Sequence, residues 1–227
     1  MNSKLILVLL FLGGIVIMAF KADTGGKKKV VFFGDSITQA GVQPKGYITV
    51  LANMLSNDHI TNYDLVGAGI GGNKIYDLYL RMEDDVISKS PDIVVVYVGV
   101  NDVWHKKTSG TGTDADKFEK FYRALIAKLQ AAGAKVIVCT PATIGEKNDN
   151  SNELDGDLNK YSNIIRSMAA DLHIPLVDLR KAFSDYEVAN NSANTDKGIL
   201  TSDGVHLNDK GNEMVAKLMW ETIKTVQ

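Results

Sequence analysis

DIVVVYVG, residues 92–99, places six apolar side chains in succession, four of them valine. A strand with one wet face would alternate apolar and polar residues, so an unbroken β-branched run indicates a strand covered on both faces. Similar runs recur as VVFFGD at 30–35, YDLVGA at 63–68, KVIVCTP at 135–141 and IPLVDL at 174–179. Between them the period changes. Phe118, Phe121, Tyr122, Leu125, Ile126 and Leu129 follow the i, i+3, i+4, i+7, i+8, i+11 spacing of a helix with one buried face. Further helices are expected at 46–57, 74–88, 157–171 and 208–224. Strands alternating with helices imply a parallel sheet joined by right-handed crossovers and wrapped by helices. The polar stretches 106–116, 145–157 and 187–198 read as loops within this single domain, since regular structure resumes after each.

The 227 residues, 45% hydrophobic and 23% charged, are enough for one sizeable core. Residues 1–22 stand apart: Lys4 precedes an apolar run from Leu5 to Phe20, and Lys21 closes it. This pattern resembles a secretory signal peptide, with an uncleaved anchor as the alternative, although about 20 apolar residues are normally needed to span a bilayer. Export would place the domain of residues 23–227 in a secreted or periplasmic setting, with membrane contact only if the segment is retained. Without residues 1–22 the chain carries 23 basic and 27 acidic groups, a formal charge of −4. That balance argues against nucleic acid, whose phosphates draw on a net basic face. Cys139 is the sole cysteine, so no internal disulfide can form, and its place within KVIVCTP suits a small buried hydrophobe.

Ligand sites on open parallel sheets form beyond the carboxyl ends of the strands. Four loops carry unusual residues: GDSIT, GAGIGGN, GVNDVWH and, after a long excursion, SDGVHLN. Ser36 would sit at a sheet edge beside a helix N-terminus, which suits a nucleophile, although an isolated G-D-S marks a helix cap more often. A serine hydroxyl needs a neighbouring base. Of His59, His105, His173 and His206, none shares a metal-ligand spacing with another, so no metal is expected. His59 and His173 read as loop or helix-end residues, and His105 as a pocket rim or a water-facing residue. His206 follows Asp203 by three residues, where a short turn could set a carboxylate against the ring; D-x-x-H alone also fits an ordinary surface turn. Asn101 could donate to a developing oxyanion or simply mark a turn. The spacing of Gly67, Gly69 and Gly72 fits G-x-G-x-x-G, a dinucleotide fingerprint. Such a loop should follow the first strand, however, with an acidic residue at the end of the next; here Glu83, Asp84 and Asp85 fall in a helical stretch.

Together these blocks resemble the SGNH branch of the GDSL hydrolases. Gly34-Asp35-Ser36, Gly72, Gly99-Val100-Asn101-Asp102 and Asp203-Gly204-Val205-His206 occur in the order of that family's four motifs, across about residues 30–210. One departure is Gly67, where the family usually has Asn. The resemblance implies a flavodoxin-like three-layer α/β/α sandwich with a five-stranded parallel sheet in the order 2-1-3-4-5. It implies an ester hydrolase with Ser36 as nucleophile, His206 as base and Asp203 as its orienting acid. Ser36, Gly72 and Asn101 would form the oxyanion hole, without a cofactor. FGDSITQAG and TSDGVHLNDKGN are similar to the family's acetylesterases, so the expected partner is a small-molecule or saccharide ester, such as an O-acetylated carbohydrate. No stable protein partner is implied. Trp104 could stack on a sugar or pack internally. A lysophospholipase or thioesterase, or a catalytically silent glycan-binding domain, are the competing readings.

Overall fold

The computed structural model describes residues 26–226. The expectation for residues 1–22, signal or anchor, lies outside them. Five parallel strands, β1 (Lys28–Gly34), β2 (Tyr63–Gly69), β3 (Ile93–Tyr97), β4 (Lys135–Cys139) and β5 (Leu176–Val177), pair in the order β2-β1-β3-β4-β5. The intervening helices are α1 (Ser36–Gly41), α2 (Tyr47–Asn57), α3 (Ile75–Asp85), α4 (Val100–Thr108), α5 (Ala115–Ala131), α6 (Asp155–Asp171), α7 (Leu179–Asn190) and α8 (Asp209–Ile223), with a 3-10 turn at Ile87–Lys89.

Strand alternation divides the core in two. Val30 and Phe32 of β1, Ile93, Val95 and Tyr97 of β3, and Ile137 and Cys139 of β4 face a layer that includes α2, α7 and α8. Val31 and Phe33, Val94 and Val96, and Val136 and Val138 face α3, α5 and α6. Both sides of the central strands are fully buried, which is why the sequence shows unbroken runs. Cys139 is wholly buried, and burial pushes its thiol far above the ordinary range. Among the described residues no helix is long and apolar enough to cross a membrane.

Three expected loops are partly helical. Lys106–Thr108 close α4, Ala115 and Asp116 open α5, Asp155–Asp157 open α6, and Glu187–Asn190 belong to α7. Helix α7 was missed altogether because its buried stripe is thin: Leu179, Arg180, Phe183 and Glu187, half of them charged. Asp178 starts it by accepting from the Lys181 amide. The strand expected at 174–179 shortens to two residues for the same reason, since α7 begins at Leu179.

The chain leaves β1 to form β2 on one side and then crosses back to form β3 on the other. Loops on either side of β1 therefore diverge, opening a crevice at its carboxyl end. Ser36 lies at that end.

Candidate active site

Asp35 caps α1: its Oδ1 accepts from the Ile37 amide at 3.0 Å, which turns the chain sharply and leaves Ser36 as the first helical residue. Burial, foremost, lifts the Asp35 carboxyl to about 7, with Asp102 adding to the effect and the Ile37 amide opposing it. Ser36 is half-buried and its Oγ lies 2.9 Å from His206 Nε2. His206 Nδ1 in turn lies 2.7 Å from Asp203 Oδ2. Asp203 Oδ1 accepts from the amides of Val205 at 2.9 Å and His206 at 2.7 Å. Burial pushes this carboxyl up, but the hydrogen bonds from the His206 ring, the His206 amide and the Val205 amide outweigh it and hold Asp203 below its ordinary range. An ionised carboxylate can only accept, so Nδ1 carries the ring proton and Nε2 presents its lone pair to the serine hydroxyl. The arrangement can take a proton from Ser36 and return it.

The Asp203–His206 turn hangs from a buried anchor. Glu146, fully inaccessible, accepts from the amides of Ile199 at 2.7 Å and of Leu200 and Thr201 at 2.6 Å each. Thr201 then bridges antiparallel to Leu207, and its hydroxyl accepts from the Gly204 amide at 3.0 Å. The Gly145 amide reaches Gly204 O at 2.8 Å, so the segment after β4 supports the turn at both ends.

Opposite the histidine lies the glycine loop after β2. The Ile70 amide donates to Gly34 O, the Gly71 amide to Gln39 Oε1 at 2.8 Å, the Asn73 amide to Ile70 O, and the Lys74 amide to Asp77. The Ile75 amide donates to the Asp102 carboxylate. Within this described segment the Gly72 amide is the one without a protein acceptor. Gly72 sits at φ +76°, a left-handed conformation that glycine adopts without a steric penalty. Gly99, at φ +136°, makes the corresponding turn from β3 into α4 and presents Asn101. Asn101 is buried, and its Nδ2 donates to Asn73 O at 3.1 Å; an amide NH₂ has a second hydrogen to give. Asp102 beside it is fully buried, and burial lifts its carboxyl to about 6 against hydrogen bonds from Thr113 and the Ile75 amide.

At Gly67, inside β2, an added Cβ would lie 2.4 Å from Val42 Cγ1. A side chain here would crowd Val42, the residue that follows α1. His105 lies beside Gly72, with its Cε1 3.8 Å from where a Gly72 Cβ would be, and burial followed by Lys74 lowers its basicity. His59 and His173 stand at positive φ just beyond α2 and α6. Trp104 is half-buried and lines an open cleft of about 440 Å³ with Lys107, Ile144, Gly145, Lys147, Asn152 and Asp196. Gly145 joins this cleft to the histidine turn. Among the described residues no group of three or more His, Cys, Asp or Glu is arranged to hold a metal ion.

Sequence reading overlooked Gln39, Arg81 and Glu146. Gln39 and Glu146 accept from loop amides 32 and up to 55 residues away, and Arg81 donates to Gly34 O 47 residues away; no local pattern marks such pairings. Asp102, the acid of G-V-N-D, was visible as part of a motif, but its hold on α3 was not.

Residues 32–214 match the family described as GDSL-like Lipase/Acylhydrolase. A solved acetyl xylan esterase, AlAXEase, is 65% identical, with a TM-score of 0.85 over 86% of this chain and 99% of that one. An acetylxylan esterase of Geobacillus stearothermophilus is 27% identical over 71% of this chain and 80% of its own. A protein of Bacillus subtilis named as the uncharacterized lipoprotein YqeF is 28% identical over 89% and 90%. With four motif loops meeting at one sheet edge and the family match spanning most of its length, the chain belongs to the GDSL-like lipase/acylhydrolase family.

Proposed function

We propose that this protein is a serine esterase that removes acetyl groups from acetylated saccharides, with residues 23–227 as its catalytic domain. The continuous contact from Ser36 Oγ through His206 to Asp203, at 2.9 and 2.7 Å, carries the reading. Ser36 Oγ attacks the ester carbonyl carbon while His206 Nε2 accepts its proton. The Ser36 amide, an orphan donor of the first turn of α1, joins the Gly72 amide and the second Asn101 Nδ2 hydrogen in stabilising the oxyanion. Collapse breaks the bond to the alcohol oxygen, which takes the proton from His206, and an acetyl-enzyme remains. Water, deprotonated by His206, then attacks the acetyl carbon and releases acetate and free serine.

A polar leaving group is supported by the cleft beside the histidine turn. Trp104 offers an aromatic face, and the side chains of Lys147 and Asp196 offer hydrogen bonds, a combination that suits a sugar better than an acyl chain. The 65%-identical structure being that of an acetyl xylan esterase supports the same substrate class. An exported setting is supported by the apolar run Leu5–Phe20 and by the relative named as a lipoprotein; with Cys139 as the sole cysteine, lipid attachment near the amino terminus is not part of the proposal.

Nitrophenyl esters of increasing acyl length, assayed beside acetate release from acetylated xylooligosaccharides, test the substrate assignment. Acetate should have the highest kcat/KM, and the oligosaccharides should release acetate. A preference for octanoate or longer, with no release from the sugars, would overturn it.

A further inference from the structure

The glycine loop must hold Gly72 and Asn101 in register with Ser36, yet the family's usual Asn is Gly67 here. One side chain reaches the backbone two residues before Ser36 and the side chain of the residue that follows Gly72. Arg81, on α3, is mostly buried, with 15% of its side chain exposed. Its guanidinium carbon lies over the Phe33 ring, 4.5 Å from the centroid, and it is oriented by Asp85, which its Nη1 meets at 2.7 Å. Its Nη2 donates to Gly34 O at 2.8 Å, two residues before Ser36, and to Ala68 O at 3.0 Å, at the end of β2. Its Nε donates to Asn73 Oδ1 at 2.7 Å. Asn73 follows Gly72, and Asn73 O is the acceptor that holds the Asn101 amide at 3.1 Å.

We infer that Arg81, acting through Asn73, is a positioning residue that sets the oxyanion donors Gly72 and Asn101 against Ser36. A planar guanidinium has several donors in fixed directions, so one group can tie the ends of two strands to a loop side chain; a lysine could not match that geometry. The inference rests on the esterase reading above. Arg81 touches no reacting atom. Its loss would let the donors drift from where the oxyanion forms, and such displacement slows chemistry more than it weakens substrate binding.

The test measures p-nitrophenyl acetate kinetics and thermal midpoints for Arg81→Gln, Asn73→Ala, Asn73→Asp and Asn101→Ala. Asn73→Ala leaves the strand-end hydrogen bonds of Arg81 intact, so it reads the link to the loop even where Arg81→Gln folds poorly. The expected result is a fall in kcat of about tenfold or more for Asn73→Ala with KM within about twofold, since removing a donor outright costs about 10²–10³. Asn73→Asp keeps the acceptor and should restore most of kcat. Asn73→Ala combined with Asn101→Ala should lose less than the product of the single losses, because both act on one donor set. Wild-type kcat in Asn73→Ala, or fully multiplicative losses, would overturn the inference. Hydrolysis retained by a folded Ser36→Ala variant would instead overturn the esterase reading itself, which separates the two failures.

Discussion

Asp203 receives three hydrogen bonds, one from the His206 ring and two from the amides of Val205 and His206. The ring bond decides which imidazole nitrogen faces Ser36. In Asp203→Asn the amide can offer its NH₂ to Nδ1, which would move the ring proton to Nε2 and turn the base away from its task. The expected cost in kcat is about 10⁴-fold, the scale of the same error in serine-protease triads, with KM and thermal midpoint little changed. Loss of less than tenfold would show that Asp203 does not govern the tautomer. Ser36 and His206 were legible as candidates because nucleophilic catalysis narrows the choice to few residue types and both stand in motifs of the family; D-x-x-H alone does not single out His206, since Asp102 also precedes His105 by three residues. Gly72 entered as a candidate donor only through family resemblance, since a backbone amide has no residue type to reveal it. Structure adds the physical ground: its neighbours' amides are satisfied from within, while its own is not.

Elements were legible where burial wrote a period into the sequence. Helix α5 follows its apolar stripe closely, and β1 and β3 follow their unbroken runs. Helix α4 was not recognised and α1 was read only as a helix N-terminus beside Ser36, the two being nine and six residues long and carrying the motif residues themselves. Helix α7 hides because it buries charge. Its Glu187 is almost inaccessible, with Oε1 unpartnered, and burial lifts the carboxyl to about 8, with Glu146 and Asp155 reinforcing and Arg180 opposing. Between pH 4.5 and 8 the unfolded chain releases this proton while the folded chain retains it, so stability falls as pH rises through that window. Glu187→Gln removes the titration. Its thermal midpoint relative to wild type should therefore climb from pH 5 to pH 9, by several degrees for a chain of this size. A difference between the two proteins that is constant across those pH values would contradict the burial argument.

At the scale of the molecule, the sheet order determines what can meet. Ser36 and His206 are 170 residues apart in sequence, and they reach hydrogen-bond distance because the crevice at β1 receives loops from both halves of the sheet. The buried Glu146 clamp holds one half of the site, while α3, through Arg81, reaches the backbone of the other. Neither support has a local sequence signature, since each joins side chains to distant backbone atoms. The central claim is that this assembly makes Ser36 an activated nucleophile. The most direct measurement is peptide mapping of the intact protein after reaction with a fluorophosphonate. The account predicts one covalent adduct, on Ser36, formed much more slowly in a folded His206→Ala variant. An adduct on another residue, or labelling of Ser36 at an undiminished rate without His206, would contradict it.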